Sequence, residues 1–258
     1  MSSKVMACAL CGQMRPIRDS HIIPDFCYKS LYQGDRHRFM VLTTPDARDH
    51  RPYLQSGLHA PMLCDECEGK FNDWYEKPFR RMWFEKSFIP NPVPEHGICH
   101  VPDWDAFKLF HHSVLWRAGV AARRNANNGF WKGVYLSDRH EAKLRELLLN
   151  RDPGPDSLYP VVGWPLVDPS DPGRMVVDII VPPIETKVGK MHATWFIYAG
   201  CCWLYVHSSH YESSQGWMHL RSDGSMMIAR WPYDEVDHLV SVAAKGIARE
   251  GEKRRAGP

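Results

Sequence analysis

Two Cys-x-x-Cys pairs, Cys8/Cys11 and Cys64/Cys67, bracket a Ser20-His21-Ile22-Ile23-Pro24 segment near the start of this chain. Two residues between thiolates let both sulfurs face one ion, and four thiolates make the closed tetrahedral donor set of a structural zinc site. Gly12, just after the first pair, permits the positive φ of a tight knuckle turn. His21 carries a ring whose proton exchanges near neutral pH. Directly after the second pair Glu68, Asn72 and Glu76 recur every four residues, which places them on one side of a helix.

The elements that must position these groups follow from local pattern. Ile22 and Ile23 favour extended structure and Pro24 ends it, so His21 belongs at a strand end or bend. The next thirty-odd residues, with Asp46, Asp49, His50 and Pro52, have little periodicity and read as an exposed loop. Cys64-Asp65-Glu66-Cys67 opens a helix whose apolar face is Phe71, Trp74, Tyr75 and Phe79, with Pro78 expected to kink or end it. The run from Pro90 to Pro102 reads as a linker. A helix capped by Asp103 follows, with Trp104, Phe107, Phe110, Val114 and Leu115 as its stripe, reaching about Arg124. Another, capped by Ser137, carries Leu144, Leu147 and Leu148 until Pro153 and Pro155 stop it.

Beyond those prolines the pattern turns to strands at 159–164, 175–181, 193–198 and 203–207. A hairpin is expected in which 217–220 pairs with 226–231 around Ser222-Asp223-Gly224. A last helix from Asp234 carries Val236, Leu239, Val240 and Ala243, and a basic Lys253-Arg254-Arg255 tail ends the chain. The expected fold class is therefore α+β. A zinc-bound unit spans residues 1–89, a Pro-rich linker 90–102, and a unit of helices with a mostly antiparallel sheet 103–258.

Composition narrows the classes. The 258 residues suffice for one large or two modest domains. With 32 basic and 30 acidic residues the chain carries only +2, which excludes the broad basic excess of a non-specific nucleic-acid coat and requires any such site to be a local patch. No segment approaches the roughly 20 apolar residues of a membrane helix, and no export signal precedes the first knuckle. Paired cysteines in such a chain point to metal rather than disulfides, and to a reducing cytoplasm.

A first Cys-x-x-Cys, then His-Ile-x-Pro after a strand, then Leu-Cys-x-x-Cys running into a helix with polar residues one and five positions on, resembles the HNH (His-Me finger) endonucleases of the zinc-supported, treble-clef type. The resemblance covers roughly residues 8 to 78. It implies a ββα-metal core in which His21 is the general base that activates water against a phosphodiester. Glu68 and Asn72 match the helix ligands of a catalytic Mg²⁺ or Mn²⁺, while Cys8, Cys11, Cys64 and Cys67 hold the structural Zn²⁺. Two positions depart from the family. Ser20 stands where an ion-binding Asp, Glu or His commonly precedes the base, and His59 takes the slot of an Asn that orients it.

Lys70, Arg80 and Arg81, on or just after the same helix, are the candidate phosphate contacts, though acidic neighbours make a solvated mixed-charge face an equal reading. His96, Cys99 and His100 have ligand-like spacing without a fourth ligand, and His111-His112 and Cys201-Cys202 read as packing. The expectation is a metal-dependent endonuclease acting on nucleic acid, with DNA as the expected substrate, working as a homodimer if it breaks both strands. The competing readings are a catalytically silent zinc module that binds nucleic acid or protein, and a zinc anchor for a C-terminal ligand sensor.

Overall fold

The computed structural model describes residues 5–32, 39–40, 53–54, 57–86, 88–124, 134, 136–208, 218–237 and 239–240. Near the N-terminus β1 (Val5–Ala7), β2 (Met14–His21) and, after the short pair β3 (Phe39–Met40) and β4 (Tyr53–Leu54), β5 (His59–Cys64) form an antiparallel sheet ordered β1-β2-β5. The expected loop is not exposed throughout: Asp25–Leu31 form a 3-10 helix that buries Cys27 and Tyr28, while Asp46 to Pro52 lie outside the described residues.

Strand β5 passes straight into α1 (Asp65–Phe71). Pro78 does not end this helix. It continues through Asn72–Glu76, α2 (Lys77–Arg80) and Arg81–Glu85. Its hydrogen bonds widen to five-residue steps at two points, Lys77 N–H to the Asn72 carbonyl and Lys86 N–H to Arg81. Pro78 offers no N–H to the preceding turn, and a widened turn is how a helix accommodates that gap without breaking.

The Pro-rich run is not a free linker. His96–His100 form β6, paired antiparallel with a later strand, β12 (Ser225–Ala229). That pairing also replaces the expected hairpin. Arg221 to Ser225 do make a tight turn with Gly224 at φ 80, but residues 218–220 form no strand, and Trp217 lies outside the described residues.

Two helices follow as expected. Helix α3 (Trp104–Arg124) is capped by Asp103, which accepts the Ala106 N–H at 3.0 Å, and α4 (Asp138–Asn150) by Ser137, ending at Arg151 in the left-handed region. The large sheet has the order β13-β7-β11-β10-β9, with β8 beside β7. Its strands are β7 (Val161–Asp168), β8 (Asp171–Met175), β9 (Val181–Val188), β10 (Met191–Tyr198), β11 (Cys201–Val206) and β13 (Trp231–Pro232). The single strand expected over 175–181 is thus the gap between two strands. The expected final helix does not begin at Asp234: Tyr233–Glu235 make one 3-10 turn, Val236 is extended and buried, Leu239 and Val240 are helical, and Ala243 lies outside the described residues.

The central element is α3, buried around its whole circumference from Phe107 to Ala121. A helix buried on every side must sit between two layers. On one side Phe110 stacks on Phe79 of α2, centroids 3.7 Å apart; on the other His111 meets Trp203 of β11 at 4.4 Å. One buried cluster runs continuously from Cys8 to Ile228, so α3 joins the N-terminal sheet to the large sheet in a single core.

Burial of two histidines on α3 has a consequence for stability. Neither His111 nor His112 has exposed surface, and burial holds both rings well below the ordinary range of 6.5, with Lys108 beside His112 adding to the effect. His111 Nδ1 lies 2.8 Å from the Tyr205 hydroxyl and 2.9 Å from that of Tyr198, while among the described residues no carboxylate compensates a proton on either ring. The unfolded chain therefore takes up protons that the folded chain refuses. Stability is fully present above about pH 6.5 and falls as pH drops through it, by up to about 1.4 kcal/mol per pH unit for each histidine. Denaturant midpoints measured from pH 7.5 to 5 in wild type and His112→Gln test this: the variant should show the shallower decline.

Candidate functional site

The first turn supplies the metal frame. Gly12 at φ 77 returns its N–H to the Cys8 carbonyl at 2.9 Å, folding Cys8 and Cys11 toward the β5–α1 junction where Cys64 and Cys67 sit. The four sulfurs all lie within 4.8 Å of one another, with Cys11 and Cys64 at 4.0 Å. A tetrahedral zinc with sulfurs at about 2.3 Å holds them about 3.8 Å apart, so this donor set fits the ion. Cys64 N–H also points at the Cys8 sulfur, 3.4 Å away, a donor suited to a thiolate. The knuckle is clamped from outside by α4 and α3: Arg145 Nε donates to the Leu10 carbonyl at 2.6 Å and Arg124 to Ala7 at 2.8 Å.

His21 closes β2 directly opposite His59 of β5, and their rings meet edge to face at 6.1 Å. Burial, opposed by the charge of Asp25, pulls His21 below its ordinary range, so the ring is neutral at neutral pH. Its Nε2 is buried and makes no hydrogen bond among the described residues. An unpartnered buried nitrogen costs free energy and is the kind of group that persists where it has a task. His59 is more exposed, and its Nδ1 stands 4.0 Å from an Asp19 carboxylate oxygen.

Beneath the strands Glu68 accepts the Ser20 hydroxyl at 2.7 Å. Burial raises the Glu68 carboxyl, while Ser20 and then Arg117 draw it back. Asn72 does not join it. Four residues at the α-helical step overshoot a full turn by about 40°, which carries Asn72 out to solvent. The widened turn that begins there takes back part of that rotation and returns Glu76 to the inside. Glu76 meets Arg117 of α3, Oε1 to Nη1 2.7 Å, and the same nitrogen donates to the His21 carbonyl at 2.8 Å. Arg117 is wholly buried.

Searches against protein-family models, curated proteins and solved structures find no match to this chain. The site's reading therefore rests on its geometry.

That geometry brings His21, His59, Ser20, Glu68 and Glu76 to one end of the β2–β5 pair and leaves Asn72 and the basic residues outside. Lys70 is paired with Glu66 at 2.7 Å and Arg80 with Glu85 at 3.7 Å, while Arg81 is exposed. The residues present do not fit a second ion as they stand. Glu68 and Glu76 are engaged by Ser20 and Arg117, and among the described residues the four cysteines are the one group of three or more acidic, His or Cys ligands close enough to hold a metal. Arg117 went unread in the sequence because it lies some fifty residues beyond the motif. Its signal was available: an arginine inside the apolar run Leu115-Trp116-Arg117-Ala118 requires a buried acceptor. No helix among the described residues is long and apolar enough to cross a membrane.

Proposed function

We propose that this protein is a phosphodiesterase of the HNH type, an endonuclease acting on DNA, in which His21 is the general base and Cys8, Cys11, Cys64 and Cys67 hold a structural Zn²⁺ in a treble clef. The observation that carries this reading is the unpartnered Nε2 of a neutral His21, at the end of a strand pair that abuts both the four-cysteine cluster and a helix bearing Glu68. A neutral imidazole accepts a proton from water as that water attacks phosphorus. His59 stands across the strand pair, and the Arg117 bond to the His21 carbonyl fixes the backbone behind the base. Zinc contributes folding free energy and no chemical step.

The test is incubation of purified protein with supercoiled plasmid in Mg²⁺, Mn²⁺ or EDTA, beside His21→Ala. Loss of a general base slows turnover by about 10²- to 10⁴-fold. Equal cleavage by wild type and His21→Ala would remove His21 from the mechanism. The EDTA arm reports whether a divalent ion takes part.

The commitment of Glu68 to Ser20 and of Glu76 to Arg117 favours a second reading, a zinc module that binds nucleic acid without cutting it. Stoichiometric zinc with no cleavage under any metal, and retained binding, decides for it.

A further inference from the structure

Helix α3 buries two cations, and their surroundings differ. Arg117 has a carboxylate and three further acceptors. Lys108, 1% exposed, donates to one carbonyl, that of Pro155, and makes no ion pair among the described residues. An ammonium carries three N–H donors, so most of its capacity is unmet. Helical spacing sets what stands beside it. Trp104 and His112 lie four residues before and after Lys108 on the same side of α3, with the Trp104 ring 5.1 Å from Nζ. From across, the segment after α4 brings Pro155, Asp152 and Asp156, and the Tyr159 ring meets His112 edge to face at 5.7 Å.

The nitrogens around Nζ also lack acceptors. Trp104 Nε1 is buried without a hydrogen bond among the described residues, and neither ring nitrogen of His112 completes one, although the Tyr159 backbone lies close enough to favour a proton there. Folded proteins leave few such donors unmet. Burial lowers the lysine to about 8, with Asp156 and then Asp152 drawing it back. At pH 7.5 about a quarter of the molecules therefore hold a neutral amine, where an ordinary lysine is neutral in about one molecule per thousand. A neutral amine beside unmet N–H groups is complemented by a reactant that bonds to nitrogen and brings oxygens with it. Carbon dioxide does both, and being uncharged it enters without the cost of burying a charge.

We propose that Lys108 is a carbamate-forming site, at which Nζ captures carbon dioxide and the Trp104 indole N–H holds one oxygen of the product. The Nζ lone pair forms the N–C bond, one C=O π pair moves onto oxygen, and the nitrogen gives up one proton to water. The product is an N–H carbamate of single negative charge. Neutral His112 offers its one N–H to the second oxygen. The charges of Asp152 and Asp156 oppose the new anion; Asp152 is exposed and Asp156 half-exposed, where solvent screens them. The site is independent of whether His21 cuts.

The full chain is equilibrated with ¹³C-labelled bicarbonate at about pH 8, the lysine's own midpoint, and its carbamates are counted by ¹³C NMR for wild type, Lys108→Met and Trp104→Phe. The α-amine at the start of the chain, of similar basicity, forms its own carbamate and is the internal reference. Wild type should show a second carbamate resonance, and Lys108→Met should remove it. Trp104→Phe keeps a ring and loses the N–H, and should lower the occupancy by about ten-fold, the weight of one hydrogen bond to a charged group. Lys108→Arg, whose guanidinium keeps its proton, replaces Lys108→Met if that variant does not fold, and should also lack the resonance. A wild-type spectrum with the α-amine carbamate alone overturns the proposal. So does a second resonance that persists without Lys108, or one that Trp104→Phe leaves at full occupancy.

Discussion

The Cys64→Ser chain is expected to lose the zinc proposed for the four cysteines and at least about 5 kcal/mol of stability, an amount comparable to the whole stability of many small domains. The reason lies in what the cluster replaces. The unit around it has a three-stranded sheet whose first strand spans three residues, and its knuckle carries few apolar side chains beyond Leu10. Structural zinc in small modules supplies about 10 to 16 kcal/mol of apparent binding free energy, all of it coupled to folding. Cys64 occupies the joint where β5 becomes α1 and is 2% exposed. Serine there offers a poorer donor at the one position that belongs to the sheet, the helix and the ion together. Burial pushes the Cys67 thiol upward, and its neighbours Cys64, Cys8 and Cys11 add to the effect, so this crowded thiol is the one that gains most from a cation. Metal analysis should return close to one zinc per wild-type chain. Unfolding followed by circular dichroism should then show Cys64→Ser melting far earlier. Cys202→Ser, remote from the cluster in β11, is the matched control and should keep its zinc. Wild type with well under one zinc per chain, or an unchanged midpoint for Cys64→Ser, would contradict the site.

The parts of the fold that were legible from sequence are those whose cause is local. Cysteine spacing and a following glycine announce the knuckle, and the caps Asp103 and Ser137 mark helix starts because each side chain meets an N–H three residues on. Strand pairing was not local and was misread. Ser225–Ala229 pair with His96–His100, more than a hundred residues earlier, and the prolines around β6 disguised a strand as a linker. The candidate site divides along the same line. Glu68 reaches the strand end through Ser20, the residue beside His21. Asn72 faces solvent, because four α-helical steps from Glu68 overshoot a full turn and the widened turn that takes back rotation begins only at Asn72. The Ser20 position, which departs from the resembled family, gains a role only in three dimensions, as the donor that holds Glu68.

Arg117→Met should destabilise the protein by about 3 to 5 kcal/mol, although methionine fills much of the same volume in an apolar helix. Four acceptors depend on that guanidinium: Glu76 Oε1, the His21 carbonyl, the Ser113 carbonyl and the Ser113 hydroxyl, with Nη1 serving the first two at 2.7 and 2.8 Å. Removing it leaves a carboxylate that is only 17% exposed with no counter-charge. The penalty is thus mainly that of an abandoned charge, which gives the prediction a second part. In Arg117→Met combined with Glu76→Leu no charge remains unpaired, and the double variant should recover much of the loss, with a coupling of about 2 kcal/mol or more between the two positions. Arg117→Lys should fall between, since one ammonium cannot reproduce the planar fork that reaches Glu76, His21 and Ser113 together. The comparison separates stability from positioning. Glu76 is met by α3, 41 residues on in the chain, and the His21 carbonyl hangs on the same nitrogen, so the double variant regains stability without regaining the anchor behind His21. If His21 is the working base, that variant folds and remains impaired in cleavage. Arg117→Met melting at the wild-type midpoint would mean that the buried ion pair is not made.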